Sequence, residues 1–110
     1  MAKLDLRTGS TTVMILRLLT EKPMYGYQIV KELQTRSEGY FNLEQGTLYP
    51  ALHRLEKDSL VESRWEVVED GPSRKYYHIT DAGRAELDKS ARQWSDFSRN
   101  LLKLLDGSTT

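Results

Sequence analysis

The segment EQGTLYPALHRLEKD, residues 44–58, carries the side chains with the most chemistry to offer. Leu48, Leu52 and Leu55 recur at helical spacing and mark a buried stripe. At 100° per residue, Gly46, Pro50, His53, Arg54 and Lys57 fall opposite that stripe, and Thr47 and Tyr49 flank them. A solvated helix face more usually mixes Glu, Lys and Gln. This one is small and flat at its start, then cationic and rich in hydrogen-bond donors. Its chemistry is therefore recognition of something large. Gln45, Thr47, Tyr49, His53 and Arg54 can reach phosphate oxygens or base edges, and only base-edge contacts would carry sequence information. Thr47, at the helix start, can add its hydroxyl to the amides available there. The plainer alternative is an outer face that only meets water.

Other chemistries find little support. There is no cysteine, which excludes disulfides and thiolate chemistry. His53 and His78 lack metal-ligand spacing, so no metal site is expected. No serine or carboxylate sits in a nucleophile elbow or paired-acid arrangement, and neither enzymatic activity nor a cofactor is expected. Sixteen basic residues balance sixteen acidic ones, which argues against coating nucleic acid by bulk charge and leaves the decision to local distribution. The opening MAKLDLR is charged, unlike a signal peptide, and the apolar run 13–19 is broken by Arg17 and too short for a bilayer. The expectation is a cytoplasmic protein without membrane contact. At 110 residues it should form one domain.

The elements that must position the outer face can be read from periodicity. A first helix over about residues 10–20 is apolar nearly all round, so one of its sides is available to a second subunit. The pair Lys22-Pro23 ends it. The second helix lies in YGYQIVKELQTRS, with Tyr25, Ile29, Val30 and Leu33 facing the core. Pro50 is cheapest in a first helical turn, which puts the start of the third helix near residues 45–47. LVESRWEVVE alternates as a strand, with Val61, Ser63, Trp65 and Val67 on one side; DGPS is a turn and RKYYHI a second strand. Tyr77 and Ile79 point to the core. Thr80 caps a final helix over about residues 81–106, roughly 38 Å long. Its apolar stripe, Leu87, Ala91, Trp94, Leu101 and Leu105, widened by Phe97 and Leu104, outruns the domain before it and needs a partner, most simply another copy. The fold class is mainly α with a small β-hairpin. It is a winged helix-turn-helix domain over residues 1–79, a dimerisation helix over 80–106 and a flexible tail at 107–110.

Three stretches, MYGYQIVKEL, LEQGTLYPALHRLEKDSLVES and GPSRKYYHITDAGRAEL, resemble the PadR-like family of winged-helix transcriptional regulators, in its short form with a single C-terminal helix. The resemblance covers about residues 6–105. It implies a homodimer that binds double-stranded operator DNA and represses transcription, often released by a small phenolic or planar hydrophobic compound. Two positions depart from the family pattern. Ser59 stands where a glycine usually follows the third helix. Pro72 and Ser73 occupy the place of an extra arginine after Gly71, which shifts the expected weight from the wing tip to the third helix.

With this resemblance the expected DNA-binding residues are Tyr25, Gln45, Gly46, Thr47, Tyr49, Pro50, His53, Arg54, Arg74 and Lys75. Tyr25 can hold a phosphate or simply pack in the core. Arg74 and Lys75 are basic where the family places basic residues near the wing. Trp94 reads first as a dimer-interface anchor, together with Leu87, Ala91, Leu101 and Leu105. In multidrug-sensing relatives a tryptophan on this helix lines a central ligand pocket with its symmetry mate, so an aromatic effector would be held by Trp94, Phe97, Met14 and Ala91. The alternative function is a winged-helix module that uses the same face to bind a protein and not DNA.

Overall fold

The computed structural model describes residues 8–67, 69 and 71–107. The charged opening at 1–7, two positions around the wing turn and the tail at 108–110 lie outside the described residues. The order of elements is α1 (Thr8–Leu19), β1 (Met24–Tyr25), α2 (Gly26–Arg36), α3 (Gln45–Lys57), β2 (Val61–Glu66), β3 (Arg74–Ile79) and α4 (Asp81–Leu105). The helix boundaries follow the periodicity closely. The difference is at residues 24–25. They form a third strand on the hairpin, giving an antiparallel sheet in the order β1-β3-β2. Met24 pairs with Tyr77 and Tyr25 with Tyr76. Two residues have no periodicity to read; their extended state comes from β3, some fifty positions away.

α1 is the hub of the core. Ile15, Leu16, Leu18 and Leu19 are buried on it, against Ile29 and Leu33 of α2, Leu48, Leu52 and Leu55 of α3, and Leu87 of α4. Burying such side chains removes apolar surface from water at about 25 cal/mol per Å², the main force holding the three-helix unit.

The helix ends show how the chain turns. α3 closes in a Schellman motif: Leu60 N–H donates to Leu55 O at 2.9 Å and Ser59 N–H to Glu56 O at 3.0 Å. Ser59 is left-handed, with φ 60°, so it takes on the conformation that glycine would supply freely. α2 ends the same way with Glu38 left-handed at φ 52° and Gly39 N–H on Gln34 O at 2.7 Å. α4 is pinned at its start. Thr80 Oγ1 accepts from Gly83 N–H at 3.0 Å and donates to Ser59 O at 2.7 Å. A Cβ on Gly83 would stand 2.1 Å from Leu60 O, so glycine is what lets α4 begin against the α3–β2 link. From there α4 runs out of the core, and the molecule measures 58 × 29 × 23 Å.

Among the described residues no helix is long and apolar enough to cross a membrane.

Candidate nucleic-acid interface

The site is built on α3. Leu48, Ala51, Leu52 and Leu55 point inward and are buried. Gln45, Gly46, Thr47, Tyr49, Pro50, His53, Arg54 and Lys57 are exposed on the other side. Pro50 is deeper than a first-turn position. With the helix starting at Gln45 it falls in the second turn, so the Gly46 carbonyl has no amide proton to receive. Gly46 makes this tolerable, because a carbonyl on an unbranched, exposed residue can tilt out to water. A Cβ at Gly46 would meet nothing within 4 Å, so the chain's own packing does not demand a glycine there. What the pair produces is a flat helix start. The Thr47 amide is engaged with Glu44 O at 3.0 Å, which leaves its side chain, rather than its N–H, for an outside partner.

Tyr25, Tyr49, Arg74 and Lys75 are brought together around one cleft between α2, α3 and the hairpin, also lined by Gly26, Trp65, Ser73 and Tyr77. Gly26 makes room for Tyr49: a Cβ there would lie 2.9 Å from the Tyr49 hydroxyl, so the Tyr49 ring leans across the start of α2. Arg74 Nη1 donates to the Tyr25 hydroxyl at 2.6 Å, and its guanidinium carbon sits 4.5 Å from the centre of the Tyr25 ring. Tyr76 meets Tyr25 edge-on at 5.4 Å. Tyr25 is thus half-buried, capping α2 at its base and orienting an arginine at its tip. Lys75 is held differently, with Nζ 3.8 Å from Glu56 Oε1 of α3. Glu56 also accepts from the Ser63 hydroxyl of β2, so one carboxylate ties the outer helix to the wing. Burial pushes the Tyr77 hydroxyl up, with the Glu56 charge and Tyr49 adding to the effect.

Trp65 is the residue that sequence reasoning passed over. Alternation puts it on the side of Val61 and Ser63, but the hairpin extends past the core there. Val61 is buried while Trp65 is 69 % exposed and lies at the cleft. An indole four residues beyond a buried valine, flanked by Arg64 and Glu66, was the available signal.

The α4 residues lie apart from this surface. Leu87 sits in its own chain's core at 8 % exposure, while Ala91, Leu101 and Leu105 are open to solvent. Trp94 packs on α1: a Cβ on Gly9 would stand 3.3 Å from its ring. Phe97 meets Trp94 edge-on at 6.0 Å and is 40 % exposed. Met14 lines a different groove, with Phe41, Leu43 and Thr47 in its wall and no residue of α4. Among the described residues no group of His, Asp or Glu side chains is placed to hold a metal ion.

Comparison with known proteins adds the context for this arrangement. The family model described as "Transcriptional regulator PadR-like family" matches residues 15–89. A Mycobacterium tuberculosis protein described as a transcriptional regulator is 34 % identical over 98 residues, spanning 89 % of this chain and 88 % of the relative. The solved structure of a transcriptional regulator from Clostridium thermocellum superposes with a TM-score of 0.82 at 30 % identity, covering 91 % of this chain and 97 % of that one. A PadR family transcription regulator from Clostridium difficile gives 0.74 at 32 % identity, covering 86 % and 97 %.

Proposed function

Because the chain belongs to the PadR-like family of transcriptional regulators, whose members are regulators and not enzymes, we propose that it acts as a homodimeric repressor on a pseudo-palindromic operator. The observation that carries this reading is the exposed face of α3, flat at Gly46 and Pro50 and donor-rich at Thr47, His53 and Arg54. Such a helix fits a major groove, with the hairpin beside the flanking backbone. With no net charge, non-specific affinity is low and comes from the local cations of α3 and the wing.

Residues 1–79 form the DNA-binding unit in this reading, and α4 supplies the contact with the second copy. The exposed apolar side chains Phe97, Leu101, Leu102, Leu104 and Leu105 near the end of α4 support that role. A stripe of this kind is costly in water and gains by pairing. A planar aromatic effector would then sit where the two Trp94–Phe97 pairs face each other, releasing the operator. By linkage, that compound must bind more weakly to the DNA complex than to the free protein.

The test is selection of duplexes from a random pool by the purified protein at near-physiological salt. Enrichment of an inverted repeat, lost with Thr47→Ala and Arg54→Ala together, is the expected result. Failure to enrich any sequence, even at low salt, would remove the DNA-binding reading and favour a protein partner for the same face.

A further inference from the structure

The cleft beside α3 has features that a passive gap between elements does not need. It is lined by the aromatic residues Tyr25, Tyr49 and Trp65, with Ser73 and Arg74 of the hairpin beside them. Arg74 is already oriented, bonded to the Tyr25 hydroxyl at 2.6 Å, and that bond uses one of the five donors of a guanidinium. The neighbouring cation is partly neutralised, because Lys75 Nζ lies 3.8 Å from Glu56. Arg74 is therefore the charge that the cleft presents. Trp65 is 69 % exposed, a large apolar surface left open at the edge of a polar hairpin.

We propose that this cleft seats one sugar–phosphate unit of duplex DNA, with the Trp65 indole against the deoxyribose and Arg74 on the phosphate. The inference rests on the DNA-binding reading of α3 and extends it to a contact residue on the wing. Three considerations select this occupant. The cleft adjoins the outer face of α3, so a duplex entered by α3 presents its backbone, rather than its base edges, at the hairpin. The pairing of a flat ring with a pre-oriented guanidinium matches a sugar next to a phosphate. The indole N–H is also a donor with no competing acceptor role, suited to a phosphate oxygen. The contact is blind to sequence, as backbone contacts are.

The experiment uses the full chain labelled with 5-fluorotryptophan. The protein has two tryptophans, so two fluorine resonances are expected, and Trp65→Phe assigns them. An unselected duplex is titrated in at low salt, and binding is followed separately by anisotropy of a dye on the DNA. The Trp65 resonance should shift along the same curve as the anisotropy. Trp65→Ala should weaken binding about five- to ten-fold on any duplex and leave the salt dependence unchanged, whereas Arg74→Gln should lower the log–log salt slope by about 0.9. Trp65→Phe keeps the ring and guards against a folding artefact; it should retain most of the affinity. If the anisotropy reports binding while the Trp65 resonance stays fixed, the proposal is overturned and the DNA-binding reading survives. If the anisotropy reports no binding at low salt to this duplex and none to any duplex recovered by selection, the reading itself falls and takes the proposal with it.

Discussion

Ser59 and Gly83 lie on either side of the junction between α3, the hairpin and α4, and they pull stability in opposite directions. Ser59 holds φ 60° without the freedom of glycine, at a cost of roughly 1 kcal/mol. Ser59→Gly should therefore raise unfolding stability by about 0.5–1 kcal/mol, the relief of strain exceeding the extra freedom of the unfolded chain. Chemical denaturation with an unchanged m-value checks this. Gly83 has no such latitude, because a methyl there would press on the Leu60 carbonyl and on Ile79. Gly83→Ala should cost about 1–3 kcal/mol, as overpacking against backbone does, and denaturation in the same buffer would expose it. On α3, Arg54→Ala separates two kinds of contact. A base-edge role predicts a loss of about 1–3 kcal/mol on the operator alone; a phosphate role predicts an even loss on every duplex. Binding to both, measured by anisotropy, decides between them.

At the scale of elements, the three-helix unit is held by α1, and its outer helix is tied to the wing through Glu56. α2 is tied to the end of α1 by charge. Arg36 donates to both carboxylate oxygens of Glu21, at 2.6 and 2.7 Å, and to Glu32 at 3.1 Å. The hydrogen bond from Arg36 holds the Glu21 carboxyl below the usual carboxylate range, with the charges of Arg36, Arg17 and Lys22 helping. A carboxyl depressed in the folded state contributes stability that is complete above its unfolded value and fades as pH falls toward the folded one. Glu21→Gln should consequently lower stability near neutrality, change little at acid pH where the parent carboxyl is already protonated, and so flatten the acid limb. Thermal melts across that range test it, and an acid limb identical to the unsubstituted chain would show that the pair is too well solvated to matter. α4 differs from the other helices in keeping one half outside. Its first three turns are fixed by Thr80, Gly83 and Leu87, while its far end leaves Leu101, Leu102, Leu104 and Leu105 exposed.

At the scale of the molecule, that free end is the reason to expect a second copy. If α4 pairs with its counterpart, thermal stability should rise with protein concentration, because association is linked to folding by mass action. Leu101→Glu, placed in the open half of α4, should shift sedimentation toward the monomer mass and remove the concentration dependence while the far-UV spectrum stays helical. A two-fold dimer with one α3 per copy also predicts operator half-sites about one helical turn, or roughly 34 Å, apart. Footprinting on the selected operator measures that spacing directly. Loss of dimerisation should weaken operator binding far more than binding to a single half-site, since the two recognition helices then bind as separate events.

Much of this was legible in the chain because it is local. A helix records its buried side every three or four residues, so the stripe of Leu48, Leu52 and Leu55 determined both the inward face of α3 and, by subtraction, the outward set from Gly46 to Arg54. The cap at Thr80 and the long course of α4 were determined in the same way. Pairings across distance left no such trace. Met24 and Tyr25 become a strand because β3 passes beside them, Gly26 has no room for a side chain because Tyr49 leans over it, and Arg74 faces the cleft because Tyr25 holds it there. Trp65 is exposed, although alternation groups it with a buried valine, because a hairpin that outruns its core has nothing to pack against. Periodicity reports which way a side chain points; only the tertiary arrangement decides whether anything is there to meet it.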